Sequence, residues 1–149
     1  MFWSKSRVYG FFAIGDTDPP TNVIDYIDVN LTTGNATDRG DLTAARYASA
    51  GVSGYVYGFI GGGTNRTSSL NVIDYIDVNL TTGNATDRGD LTVARMGAGG
   101  VSGSVYGFFG GGVGSSVSNV IDYIDVNLTT GNATDRGDLT AAKPYWAGV

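Results

Sequence analysis

Paired aspartates are the residues of this chain with the clearest potential for chemistry. They occur with the spacing Asp-x-x-Asp at three places, which are Asp25 and Asp28, Asp74 and Asp77, and Asp122 and Asp125. Two carboxylates can bind a divalent cation or act as general acid and base. Each pair, however, lies among β-branched residues, and residues three apart on a strand point to opposite faces. We therefore expect these aspartates to bond to backbone amides, and we predict no catalytic, cofactor-binding or metal-binding residues.

Two further motifs invite a functional interpretation. The tripeptide Arg-Gly-Asp, also found in integrin ligands, recurs at Arg39–Asp41, Arg88–Asp90 and Arg136–Asp138. Its recurrence follows from a longer repeat, so we expect these side chains to be solvated or paired with neighbouring repeats. The glycine triplets Gly61–Gly63 and Gly110–Gly112 are not followed by Lys-Ser/Thr or by a helix, as a phosphate-binding loop would be. We interpret them as close-packed strand ends.

Composition narrows the function classes. The 14 acidic residues, all Asp, outnumber 9 basic ones and give a net charge of −5, which favours neither nucleic acid nor an anionic membrane as partner. Cysteine and histidine are absent, so thiol nucleophiles, disulfides, common zinc sites and imidazole bases are excluded. The sequence therefore predicts a protein that is not an enzyme and has no cofactor. No signal peptide is evident at its start.

A long repeat organises the whole chain. The segment Asn22–Thr43 returns unchanged at Asn71–Thr92 and Asn119–Thr140. A period of about 50 residues is typical of repeat architectures such as propellers. We expect one repeat domain, 1–149, with repeats at about 1–46, 47–95 and 96–143.

Each repeat contains four strand signals and no helical periodicity. In the central repeat the predicted strands are Tyr47–Ser53, Tyr55–Ile60, Val72–Val78 and Ala85–Leu91. Four short antiparallel strands in such a repeat predict the blade of an all-β propeller, with a β-solenoid as the alternative. Small residues in the first strand indicate that it is innermost, where blades converge.

The order of these signals resembles a kelch repeat. The matching residues are Val56–Gly62, Tyr75 and Arg95, while Ala85–Asp87 stand where that family usually has an outer-strand Trp. The sequence TTGNATDRGDLT is also similar to tandem repeats of predicted bacteriophage structural or tail-fibre proteins. These resemblances imply a structural or interaction protein in a virion or outside the cell, contacting other virion proteins. The alternative is a propeller lectin that binds surface glycans.

The two ends of the chain match two halves of one blade. Lys143–Val149 aligns with Arg46–Val52, and Val8–Phe12 aligns with Val56–Ile60. Three blades are too few for a ring of about four to eight, so we expect a homo-oligomer, most simply a dimer with six blades. Residues 144–149 would supply the innermost strand of a neighbouring blade. The residues expected at this seam between chains are Phe2, Trp3, Val8, Tyr9, Phe11, Tyr145, Trp146 and Val149.

Overall fold

A computed structural model describes residues 9–13 and 16–144 of the chain. Within these ranges the structure is all-β, with eleven strands and no helix, so none that could cross a membrane. The strands are β1 (Tyr9–Ala13), β2 (Val23–Asp28), β3 (Thr37–Asp41), β4 (Ala50–Ser53), β5 (Tyr57–Gly61), β6 (Val72–Asp77), β7 (Thr86–Asp90), β8 (Gly99–Ser102), β9 (Tyr106–Gly110), β10 (Val120–Asp125) and β11 (Thr134–Asp138).

The strands form three antiparallel sheets, one per repeat. Sheet 1 contains β1–β3, sheet 2 contains β4–β7 and sheet 3 contains β8–β11, each in sequential order. The prediction of four strands in the central repeat is confirmed, with small shifts at their ends. The largest shift is at the start of the first strand, which was predicted from Tyr47 but begins at Ala50. Tyr55 and Val56, predicted at the start of the second strand, belong to a turn in which Gly54 N donates to Tyr57 O at 2.8 Å. The sheets are consistent with propeller-like blades.

The segment VIDYID forms the third strand of a blade because it is rich in β-branched and aromatic residues, which suit a pleated surface. Its tyrosine meets the tyrosine of the preceding strand edge-on in every sheet, with ring centroids 5.6 Å apart for Tyr57 and Tyr75. Aromatic cross-strand pairs of this kind stabilise a sheet by roughly 0.2–1 kcal/mol each. The same pair therefore reinforces the register in all three repeats.

The Arg-Gly-Asp tripeptide is a β-bulge on the outermost strand of each sheet. In sheet 2, Ile73 pairs with Gly89 and Asp74 pairs with Asp87, which leaves Arg88 without a partner across the ladder. Arg39 and Arg136 take the same place in sheets 1 and 3. A bulge of this type bends the strand and redirects a side chain. The bulge thus directs the arginine side chain of the tripeptide out of each sheet.

The three sheets stack face to face, with an apolar core at each junction. Between sheets 1 and 2 the buried residues are Ile24, Leu42, Ile60, Ile76, Val78 and Ala85. Between sheets 2 and 3 they are Ala50, Val52, Phe59, Ile73, Leu91, Phe109, Ile124, Val126 and Ala133. Sheet 2 contributes one face to each core. Its middle strands therefore carry apolar residues on both faces.

The innermost strands approach each other most closely. Strand β4 packs against β8, and Ser53 N donates to Ser102 Oγ at 2.9 Å. A Cβ atom added to Gly100 would overlap the carbonyl oxygen of Gly51, so only glycine fits there. A glycine is thus required at this position of β8.

Candidate self-association interface

A bulged arginine joins each sheet to the next. The Arg39 side chain crosses from sheet 1 to sheet 2, where Nε donates to Leu80 O at 3.1 Å and Nη2 donates to Asp77 O at 3.3 Å. Its Nη1 donates to Gly83 O. Arg88 repeats these three bonds from sheet 2 to sheet 3, with the carbonyls of Asp125, Leu128 and Gly131 as acceptors. We call this contact the arginine hook.

Backbone bonds beside the hook fix its geometry. Asp41 N donates to Asn84 Oδ1 at 3.0 Å, and Ala85 N donates to Asp41 O at 2.8 Å. Gly40, at a φ of +142°, lies so close that an added Cβ atom would be 2.8 Å from Gly83 O. Burial lowers the pKa of Arg39, while Asp77 opposes that shift. The interface thus accepts a charged side chain by surrounding it with carbonyl dipoles.

A second polar contact, which we call the aspartate clamp, lies deeper in the same junction. Asp74 is fully buried and accepts from Thr43 N at 3.0 Å, from Thr43 Oγ1 at 2.6 Å and from Arg46 Nη2 at 3.1 Å. Thr43 and Arg46 lie on the segment that links sheet 1 to sheet 2. Asp122 forms the same clamp with Thr92 and Arg95. Each clamp therefore ties a linker to the sheet that follows it.

The clamp contains a buried ion pair between Arg46 and Asp74. Burial lowers the pKa of Arg46, and the carboxylate of Asp74 opposes this shift. Nε and Nη1 of Arg46 have no hydrogen-bond partner among the described residues. A buried pair like this adds little net stability, yet removing one partner leaves an uncompensated charge. Removing one partner should therefore destabilise the fold more than replacing both.

The two aspartates of each Asp-x-x-Asp motif have different surroundings. Asp74 belongs to the clamp, whereas Asp77 Oδ1 accepts from Asn79 N at 2.8 Å in the following turn. In residues 9–13 and 16–144 no three acidic side chains come together as a cation site would require. The sequence analysis expected bonds to backbone amides, and those are present. It missed the arginine partners, although Arg46 and Arg95 recur at one position before β4 and β8.

On the outer face of sheet 3, the arginine at the hook position has no acceptor among the described residues. Arg136 occupies the position of Arg39 and Arg88, but it is exposed and lies over the Phe108 ring, 5.8 Å from its centroid. Val101 is 42% exposed, whereas Val52, its counterpart in sheet 2, is 4% exposed. This face therefore has the residues of a junction but no neighbouring sheet in the described part of the chain.

The outer face of sheet 1 carries the complementary residues. Val29 is 51% exposed, whereas its counterparts Val78 and Val126 are at 3% and 0% in the two cores. Phe12 is also exposed, at the position that Ile60 and Phe109 occupy inside those cores. The side chain of Asp25, the counterpart of Asp74 and Asp122, has no partner among the described residues. The outer face of sheet 1 thus carries the same types of residue as the face of sheet 2 that packs against sheet 1.

A pocket on this face corresponds to the acceptor site of the hook. It has a volume of about 360 Å³ and includes Asp28, Leu31 and Gly34 in its lining. These three residues are the counterparts of Asp77, Leu80 and Gly83, whose carbonyls bind Arg39. The pocket is therefore placed to receive an arginine.

Only two of the predicted seam residues lie in the described part of the chain. Phe11 packs against the core between sheets 1 and 2, with Arg39 over its ring at 5.6 Å. Tyr9 contacts Tyr26 edge-on at 5.6 Å. The others, Phe2, Trp3, Val8, Tyr145, Trp146 and Val149, lie outside the described residues. Phe12, Val29 and Arg136 were not among the predicted seam residues, but they are exposed counterparts of residues that are buried between sheets.

Comparison with family models and with curated proteins returns no match. The resemblance to kelch repeats therefore rests on the residues of this chain alone.

Proposed function

We propose that this chain is a non-catalytic structural protein that assembles with further copies of itself into a kelch-like propeller. The proposal rests on the exposure of Arg136. Two copies of this arginine hold neighbouring sheets together within the chain, while the third is exposed on sheet 3. Its expected acceptors, the carbonyls around the pocket of Asp28, Leu31 and Gly34, are on the opposite end sheet.

Apolar complementarity supports the same partner. The outer face of sheet 3 carries the residue types with which sheets 1 and 2 contact the following sheet. The outer face of sheet 1 carries the types that receive them, including Phe12 and Val29. A contact between these two different faces is heterologous, so it generates a ring when the rotation closes. Two chains would supply six sheets, within the usual range of about four to eight.

Replacing Arg136 tests the assembly, because the contact that this side chain makes among the described residues is an exposed one with the Phe108 ring. Three bonds from a charged donor are at stake, and a hydrogen bond to a charged group contributes about 1.5–3 kcal/mol. The loss should be at least that of one such bond, so we expect Arg136→Ala to weaken association by at least about 10-fold, measured by native mass spectrometry and light scattering over a dilution series. Arg136→Lys should also weaken association, because an ammonium keeps the charge but cannot reach three separated carbonyls.

Arg66→Ala is the matched control, since Arg66 is a surface arginine that pairs with Asp16 in a loop. It should associate like the parent. A parent chain that is monomeric at every concentration would refute the proposal, as would unchanged association of Arg136→Ala.

The resemblance to bacteriophage repeats supports a virion as the location of this assembly. Mass spectrometry of purified particles from the source of the chain tests that location. We expect the protein in the particle fraction in stoichiometric amount; its presence only in the soluble lysate would contradict this part of the proposal.

A further inference from the structure

A groove runs along the inner edge of sheet 1, between β1 and β4. Its volume is about 430 Å³, and its lining includes all of β1, all of β4, and Gly58 and Val78 of sheet 2. Sheet 1 has three strands in the described part of the chain, whereas sheets 2 and 3 have four. The strand that sheet 1 lacks is the counterpart of β4 and β8. The groove occupies the place of that strand.

The next junction shows what such a strand contacts. In sheet 2, Ala50 and Val52 of β4 enter the core shared with sheet 3. Val52 lies over Gly107 and next to Val126, since a Cβ atom added to Gly107 would be 2.6 Å from Val52 Cγ2 and 3.0 Å from Val126 Cγ1. The counterparts of Gly107 and Val126 one sheet earlier are Gly58 and Val78, and both line the groove. The groove therefore suits a strand of sequence Ala-x-Val.

The chain contains a second Ala-Gly-Val segment at the matching distance from a linker. Residues 147–149 follow Lys143 as Ala50–Val52 follow Arg46. Gly112 N donates to Lys143 O at 3.4 Å, as Gly63 N donates to Arg95 O at 2.9 Å. The chain thus reaches Lys143 along the path that leads from sheet 2 to β8.

We propose that residues 147–149 of one copy add to sheet 1 of a second copy as its innermost strand. The register follows from β4 and β5, in which Ala50 pairs with Gly61, Gly51 with Ile60 and Val52 with Phe59. By alignment, Ala147 would pair with Ala13, Gly148 with Phe12 and Val149 with Phe11. This inference rests on the proposed function, since it takes a second copy as the partner, and it names the segment that the partner receives.

Gly51→Ala tests the inserted strand without disturbing the free chain. In the described residues an added Cβ atom on Gly51 meets only Phe59 O, at 3.9 Å, whereas on Gly100 it would overlap Gly51 O. Once a strand is inserted, Gly51 takes the place of Gly100, and Gly148 takes that of Gly51. We therefore expect Gly51→Ala to keep the parent circular dichroism spectrum at low concentration but to associate at least about ten-fold more weakly. Association equal to the parent's would overturn the inference.

Disulfide trapping tests the register, because the chain has no native cysteine. Equal amounts of Ala13→Cys and Ala147→Cys chains are mixed, equilibrated and oxidised, and we expect a covalent heterodimer. The control mixes Ala13→Cys with Tyr145→Cys. That cysteine lies two residues out of register, about 7 Å further along, so the Cα atoms are too far apart for a disulfide.

The outcomes separate this inference from the proposed function. A dimer that forms in native mass spectrometry, resists Gly51→Ala and gives no specific cross-link would refute strand insertion while leaving self-association intact. A monomeric parent would refute both. A cross-link in the Ala147→Cys mixture alone, together with weakened association of Gly51→Ala, supports the inserted strand.

Discussion

Replacing Asp74 with alanine should destabilise the fold far more than replacing Asp25, although the two aspartates occupy one position of the repeat. Asp74 is fully buried and accepts three hydrogen bonds, two from Thr43 and one from Arg46. Asp25 has no such partner in the described part of its own chain. Under the proposed assembly its partners would be Thr140 and Lys143 of a second copy. Asp74 therefore acts within the chain, whereas Asp25 would act between chains in the proposed assembly.

The magnitude follows from the charge that remains. Without Asp74, Arg46 stays fully buried with no counter-ion, and breaking a buried pair in this way costs about 3–5 kcal/mol. For a chain of this size about 1 kcal/mol shifts Tm by roughly 2–4 °C, so Asp74→Ala should lower Tm by roughly 6–20 °C. Replacing both partners, as Arg46→Met with Asp74→Leu, should restore most of the loss, because no buried charge is left unpaired.

Thermal unfolding followed by circular dichroism at several protein concentrations is the assay. Asp74→Ala should lose stability equally at all of them. Asp25→Ala should lose it only through weaker association, so that its Tm recovers as concentration rises. Asp38→Ala removes the same charge from an exposed site and is the control. If Asp74→Ala melts within about a degree of the parent, the assignment of the clamp as an energetic contact is wrong.

Two other predictions concern the inner strand and the aspartates. Ala50→Leu should lower the free energy of unfolding by roughly 1–3 kcal/mol, because it overfills the core between sheets 2 and 3. The control Ala45→Leu, on an exposed linker, should be near neutral. Equal melting temperatures of the two variants would contradict the packing of β4. Calorimetric titration with Ca²⁺ or Zn²⁺ should show no stoichiometric sub-micromolar binding, because Asp74 and Asp122 are already paired with arginines; a tight, saturable site would reverse that expectation.

The strands were predictable because each sheet forms within one repeat. VIDYID is rich in β-branched residues, and the connections are short enough that consecutive strands become antiparallel neighbours. The observed strand ends differ from the predicted ones where a turn determines them, as at Tyr55 and Val56. The sequence pattern does not show the hydrogen bond from Gly54 N to Tyr57 O that forms this turn. Local patterns thus specify the sheets well and their ends less well.

The contacts between sheets were predictable only in part. Pairing of the Arg-Gly-Asp side chains with a neighbouring repeat was one of two expectations, and Arg39 and Arg88 confirm it. Arg39 looks like a surface residue in its own strand, and only the bulge opposite Ile24 and Asp25 turns it toward the next sheet. Likewise, Arg46 and Asp74 are 28 residues apart and meet only when the linker packs on sheet 2. The predicted seam was based on aromatic residues near the ends, most of which lie outside the described residues. Phe12, Val29 and Arg136 are recognised as candidates only because their counterparts in other sheets are buried. Candidate interface residues in one repeat can therefore be recognised only by comparison with the equivalent residues that are buried in another repeat.

The size of the proposed assembly follows from using one junction throughout. The junctions of sheets 1–2 and 2–3 share the arginine hook and the aspartate clamp, and we expect contacts that recur in this way to give similar rotations. If the contact between chains uses the same residues, it adds that rotation again, and the ring grows by three sheets per chain. Six sheets fall within the range of about four to eight that propellers adopt, and nine fall outside it. We therefore expect a native mass of twice the 15.5 kDa of the chain, whereas a rotation that fails to close at six sheets would produce filaments.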